Sequence, residues 1–135
     1  MNLKLLGLID RDLRTLPEYC RYVADVCNIK IPSNYPLIGK DAFETATGVH
    51  AAAVIKAFKK NDKWLADRVY SGVPAGEFGL EQKIRIGPMS GKSNIIFWLE
   101  KNKIKYNDEL VEKIFTIVKQ SNHILEEDEL FKITG

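Results

Sequence analysis

Apolar residues recur along this chain mostly at helical spacing. Leu110, Val111, Ile114, Phe115 and Val118 form one buried stripe, which predicts a helix opened by Asn107 or Asp108. Ile95, Trp98 and Leu99 predict another helix, with Ser90 as its cap. Tyr19, Cys20, Val23 and Val26 mark the apolar face of a third. Its start, Thr15-Leu16-Pro17-Glu18, reads as a capping box with proline tolerated in the first turn, and its end falls near Asn28. Ala46, Val49, His50, Ala53, Val54, Ala57 and Phe58 follow i, i+3, i+4, i+7, i+8 spacing, so a lone histidine sits on a face that meets something else. A short helix or turn carries Trp64, Leu65 and Tyr70, and a last short helix is predicted around residues 127–132.

Between these stripes the chain is punctuated. Ile31-Pro32-Ser33-Asn34-Tyr35-Pro36 cannot be helical, because residues before proline are pushed to extended conformations and each proline lacks an amide donor. Gly72, Pro74, Gly76 and Gly79 enforce a loop, and residues 83–86 alternate charge and isoleucine like a short strand. The expected fold is mainly α: a small bundle of about five helices in two subdomains, residues 1–80 and 81–135, with at most one short extended segment. No internal repeat or low-complexity tract interrupts it.

Composition narrows the class. With 45% hydrophobic residues among 135, the chain has ample material for a packed interior. No apolar run approaches the roughly 18 residues of a membrane span, and the first residues lack the apolar core of a signal peptide, so the expected location is cytoplasmic. Cys20 and Cys27 lie seven apart on one predicted helix, about 10 Å along its axis and beyond the roughly 7 Å limit for a disulfide, so they read as core thiols. The net charge of +2 hides a basic stretch of Lys83, Arg85, Lys92, Lys101, Lys103 and Lys105 against Glu100 alone, followed by the acidic run Glu126-Glu127-Asp128-Glu129. A solvated surface explains the lysines most simply; contact with the phosphates of a ligand or with an acidic partner is the competing reading. Nucleic acid is disfavoured by the slight overall basicity and the absence of aromatic-interleaved basic motifs.

Candidate chemistry is sparse. Taken alone, His50 among alanines and valines reads as a satisfied core histidine, and Tyr70 as a half-buried aromatic with its hydroxyl at the rim. Gly87-Pro88-Met89-Ser90-Gly91-Lys92-Ser93 invites a phosphate-loop reading, but Ile86 stands where a Walker loop needs glycine, which leaves a helix-capping turn. Asp108, Glu109 and Glu112 look like acidic residues that favour a helix start, not a catalytic pair.

A resemblance changes the weight of these residues. The run Ala46-Thr47-Gly48-Val49-His50-Ala51-Ala52-Ala53, then Val69-Tyr70, Glu77-Phe78-Gly79 and Ile84-Arg85-Ile86-Gly87-Pro88-Met89-Ser90-Gly91-Lys92-Ser93-Asn94, resembles in order and spacing the region after the catalytic barrel in 2-isopropylmalate, citramalate and homocitrate synthases. The likeness covers roughly residues 5–130, and the histidine segment looks most like the isopropylmalate subgroup. It implies that His50 and Tyr70 serve the acetyl-CoA half of a Claisen condensation, the histidine as general base or water-positioning group. It also implies a (β/α)₈ barrel that binds a divalent metal through a His-x-His pair. Such a barrel typically needs about 250 residues, and the only histidines here are His50 and His123. The expectation is therefore a middle piece of a larger enzyme, starting at an added or substituted Met1, with no metal or cofactor of its own and inactive alone. Its implied partner is the catalytic barrel of the same or the partner subunit of a homodimer. The alternatives are a homocitrate or citramalate synthase fragment, or a non-catalytic helical dimerisation module.

Overall fold

Seven α-helices and a minimal sheet account for the regular structure of the computed structural model, which describes residues 1–135. The fold is mainly helical, as the apolar stripes predict. In chain order the helices are α1 (Asn2–Leu5), α2 (Leu16–Val26), α3 (Gly48–Lys59), α4 (Lys63–Arg68), α5 (Lys92–Lys101), α6 (Asp108–Gln120) and α7 (Glu127–Thr134). The extended segment at residues 83–86 has a partner that the sequence pattern does not announce. Strands β1 (Glu44–Thr45) and β2 (Lys83–Ile84) pair in parallel, with Glu44 opposite Lys83 and Thr45 opposite Ile84.

Two compact units are present, each built from two stretches of chain: residues 1–43 with 71–82, and residues 44–70 with 83–135. The sequence reading instead draws a single boundary at residue 80. The first unit contains α1, α2 and a 3₁₀ turn at Ala75–Phe78, around a small core of Ala24, Leu37, Ala75 and Phe78. Gly79 closes that turn at φ +70, a conformation that favours glycine, against the Arg14 side chain. Arg14 in turn donates from its guanidinium and its backbone N–H to Asp12, which holds that carboxyl down at about 2.

Helix α2 ends near Asn28 as expected, with Cys27 as its C-cap and Asn28 at φ 51, but it departs from expectation in its N-cap and its cysteines. Thr15 precedes it but its side chain makes no capping bond, because its backbone is already in the helical region and not the extended one that a cap requires. Cys20 is half-buried and Cys27 exposed, so Cys27 is not a core thiol.

The second unit holds the larger core: Ile86, Ile95, Trp98, Leu99, Val111, Ile114, Val118, Leu125 and Leu130. Here α6 forms as its pattern dictates, with the Asn107 side chain accepting from Leu110 N at 2.9 Å and Val111, Ile114 and Val118 buried. Ile86 and Leu125 make an antiparallel bridge, and Trp98 donates from Nε1 to Glu127 at 2.8 Å while stacking at a tilt on Phe131. The acidic run thus docks α7: Glu126 pairs with Arg85 at 2.8 Å, and Glu129 accepts from the Glu126 backbone N–H and meets the His123 ring.

Candidate functional site

The His50 helix begins where two backbones nearly touch. Thr47 is extended, Gly48 opens α3, and a Cβ added at Gly48 would lie 2.8 Å from Gly91 N, so only glycine fits without displacing main chain. From there α3 buries Ala51, Val54, Ile55 and Ala57. That stripe is rotated by one residue from the predicted one. Val49 is 75% exposed and His50 also faces solvent, so His50 is not a core histidine. The alanines explain the shift, because small residues on several sides of a helix leave its apolar phase ambiguous.

The chain then turns back. Asn61 adopts the left-handed region at φ 56, its N–H donates to Phe58 O, and Asp62 caps α4 by accepting from Leu65 N at 2.9 Å. Ala66 of α4 is fully buried. This helical hairpin returns the chain toward the start of α3. At its end Val69 is extended and Tyr70 sits at φ 58, an uncommon conformation for a bulky side chain and a local backbone strain.

Tyr70 and His50 consequently stack, with ring centroids 4.3 Å apart and planes inclined by 23°. Twenty residues separate them in sequence, and the α3–α4 hairpin removes that distance. Tyr70 is 64% exposed, more open than a rim aromatic, and exposed Val49 adjoins His50 in sequence. Gly48 N donates to Met89 O at 2.9 Å, which sets the exposed Met89 beside the start of the same helix. The arrangement is an imidazole and a phenol held face to face on an open, partly apolar surface. An imidazole can take or give a proton near neutrality, and a phenol can donate or accept a hydrogen bond. No group of three or more His, Cys, Asp or Glu side chains is poised to hold a metal ion.

Other sequence candidates resolve into structural roles. Lys92 pairs with Glu112 and lies over the Phe115 ring, while Lys119 donates to the carbonyls of Pro88 and Ser90. Arg85 bridges Glu44 and Glu126, and Lys83, Lys101, Lys103 and Lys105 lie exposed. Ser90 does not cap α5; Gly91 occupies that position, and the Ser90 hydroxyl is turned inward. Sequence reasoning missed what Gly48, Ser90 and Asn94 do together. The available signal was a glycine and two small polar residues at the mouths of two apolar helices.

These elements define a helical segment that presents a histidine and a tyrosine on an exposed face. No protein-family model matches the chain. It is 33% identical over 132 residues to the homocitrate synthase AksA of Methanocaldococcus jannaschii, covering 94% of this chain and 29% of that protein. It is 29% identical over 118 residues to the (R)-citramalate synthase of Aquifex aeolicus, covering 83% and 21%. With the probable 2-isopropylmalate synthase of Methanopyrus kandleri it shares 30% over 122 residues, covering 89% and 23%. The chain belongs to the homocitrate, citramalate and 2-isopropylmalate synthase family, and spans less than a third of the length of these relatives.

Proposed function

We propose that this chain is the post-barrel lid of a synthase that condenses acetyl-CoA with a 2-oxo acid, and that its parent is a 2-isopropylmalate synthase. The observation that carries the reading is the His50–Tyr70 stack, displayed on an open face by a segment homologous to these enzymes. In the condensation a base removes a proton from the acetyl methyl group, and the resulting carbon attacks the ketone of the 2-oxo acid. That oxygen then takes up a proton, and water cleaves the thioester to release coenzyme A. His50 suits the proton transfer or the placing of water, and the Tyr70 hydroxyl can orient the thioester carbonyl or the imidazole. A divalent metal, which the family resemblance implies, would be held by the barrel and would supply polarisation of the 2-oxo acid there; the barrel would also read the substrate side chain. This segment would close over the barrel of the same or the partner subunit of a cytoplasmic homodimer, excluding water while the carbanion forms. The relatives named for homocitrate and citramalate support those two 2-oxo acids equally well.

Complementation in trans tests the reading. The barrel of the same synthase, supplied as a separate chain with acetyl-CoA and 2-oxoisovalerate, should release free coenzyme A only when this chain is added. His50→Ala should lower turnover about a hundredfold or more with the fold intact, the scale of a lost acid or base. Normal turnover by that variant, or no activity from two folded and associated pieces, would return His50 to a surface role. Repeating the assay with the 2-oxo acids of the homocitrate and citramalate synthases decides the substrate.

A further inference from the structure

The Ser90-Gly91-Lys92-Ser93-Asn94 stretch has no part in the chemistry above, yet it holds the two polar side chains that the protein buries: Ser90 at 1% exposure and Asn94 at 0%. A buried hydroxyl or amide is costly unless its hydrogen bonds are met. Both are met, and most of the partners lie on one route. Ser90 Oγ donates to Ala46 O at 2.6 Å and accepts from Gly87 N at 2.9 Å. Asn94 Nδ2 donates to Arg85 O at 3.0 Å and reaches the same Ala46 carbonyl at 3.4 Å, while its Oδ1 accepts from Gly91 N at 3.3 Å. Ala46 lies two residues before α3, and His50 lies in the first turn of that helix. The bond from Gly48 N to Met89 O and the Gly48–Gly91 approach fasten the same turn to the same segment.

Helix α3 needs such fastening. Val54 and Ile55 are buried and Phe58 stacks on Phe97 in its later turns, but in its first turn, which carries His50, the one buried residue is Ala51, so packing grips that turn weakly. A slip of one residue turns a helix by about 100°, which would carry the His50 ring off Tyr70. We propose that Ser90 and Asn94 are positioning residues for His50: directional hydrogen bonds to Ala46 set the orientation of the first turn of α3, where the one buried side chain is an alanine. The consequence for turnover rests on the catalytic reading of His50; the positioning itself does not.

The test uses the isotopically labelled full chain and the proton cross-peaks between the His50 and Tyr70 rings. In Ser90→Ala and Asn94→Leu these cross-peaks should vanish, and the His50 ring protons should move toward their values in an unstructured peptide. Ile114→Val, which loosens the same unit far from Ala46 in sequence, should keep both signatures while lowering the unfolding midpoint. Ser90→Ala deletes a single atom and carries the test by itself if Asn94→Leu does not fold. Added to the barrel, the two positioning variants should lower turnover about a hundredfold with KM for acetyl-CoA little changed, as expected when a reacting group is misplaced by an ångström. An intact stack in folded Ser90→Ala would overturn the proposal whatever His50→Ala does. A lost stack with normal turnover would uphold the positioning and sink the catalytic reading instead.

Discussion

Helices α2 and α6 are almost equally amphipathic, and they come to opposite ends. Helix α6 spends its stripe inside: Val111, Ile114 and Val118 are buried against Ile95, Trp98 and Leu99. Helix α2 buries only Pro17 and Ala24 and leaves Tyr19, Tyr22 and Val26 exposed, and an apolar groove of about 280 Å³ is lined by Tyr19, Cys20, Val23, Ile31 and Ile38. An apolar stripe therefore shows that a helix has a face to bury, and says nothing of whether its own unit supplies the cover. The second unit supplies it with two further helices crossing α6; the first, with a handful of buried apolar residues, does not.

Core truncation breaks this comparison most strongly. Ile114→Ala should cost about 2–5 kcal/mol, from lost transfer energy and the cavity left behind. Tyr22→Ala, at an exposed position of α2, should stay within about 0.5 kcal/mol. Urea midpoints of the two variants decide it. A large, concentration-dependent loss for Tyr22→Ala would show instead that the α2 face is covered in solution by a second molecule.

Glycines sharpen the contrast on a smaller scale. Gly48→Ala forces a methyl to within 2.8 Å of Gly91 N, a main-chain atom that cannot swing away, and overpacking of this kind costs about 1–3 kcal/mol. Gly72, in the first unit, has nothing within 4 Å of the corresponding position and no left-handed backbone. Gly72→Ala should therefore be neutral or stabilising by up to about 1 kcal/mol, through the unfolded chain. Thermal melts of the pair measure the difference. Equal melting of the two variants would mean that the start of α3 tolerates a shift away from Gly91.

Much of the second unit was legible because its signals are local. Asn107 capping α6, the Ile95–Trp98–Leu99 stripe of α5 and the turn before α4 each depend on a few neighbouring residues and on a long enough period. Strand β1 was not legible, since two residues carry no alternation and their partner lies at residues 83–84. The phase of α3 was misread for a related reason: alanines permit several apolar faces, and the partners that take up Val54, Ile55 and Phe58, and the bonds of Ser90 and Asn94 to Ala46, come from distant stretches of chain. His50 and Tyr70 stand out as candidates by resemblance. The stacking of their rings was not legible, because it depends on the left-handed turn at Asn61 and the strained backbone of Tyr70. In α2 the stripe was read correctly as an apolar face, but Cys27 was wrongly read as a core thiol, because cysteine identity does not say whether a face is covered.

The smallest expected effect concerns the end of the second unit. The Glu129 carboxylate accepts a hydrogen bond from the Glu126 backbone N–H and another contact from the His123 ring, and these hold its pKa below the ordinary glutamate value. A carboxyl depressed in the folded state stabilises above its unfolded pKa, about 4.3, and that contribution is lost as the pH falls through the lower folded value. Wild type should therefore lose protection of the α7 amides on going from neutral pH to below that window. Glu129→Gln keeps an acceptor for Glu126 N but carries no charge to lose, so its α7 should begin less protected and change less over the same range. Hydrogen exchange at Leu130 and Phe131 reads this directly, because Leu130 N donates to Glu126 O at the start of the helix. Identical pH dependence in the two proteins would show that α7 is held by its other contacts, Leu130 burial, the Trp98–Glu127 bond and the Arg85–Glu126 pair, and not by the Glu129 charge. The Glu129 charge would then add nothing to a helix that the core already retains, the reverse of α2, where an apolar face has no core to retain it.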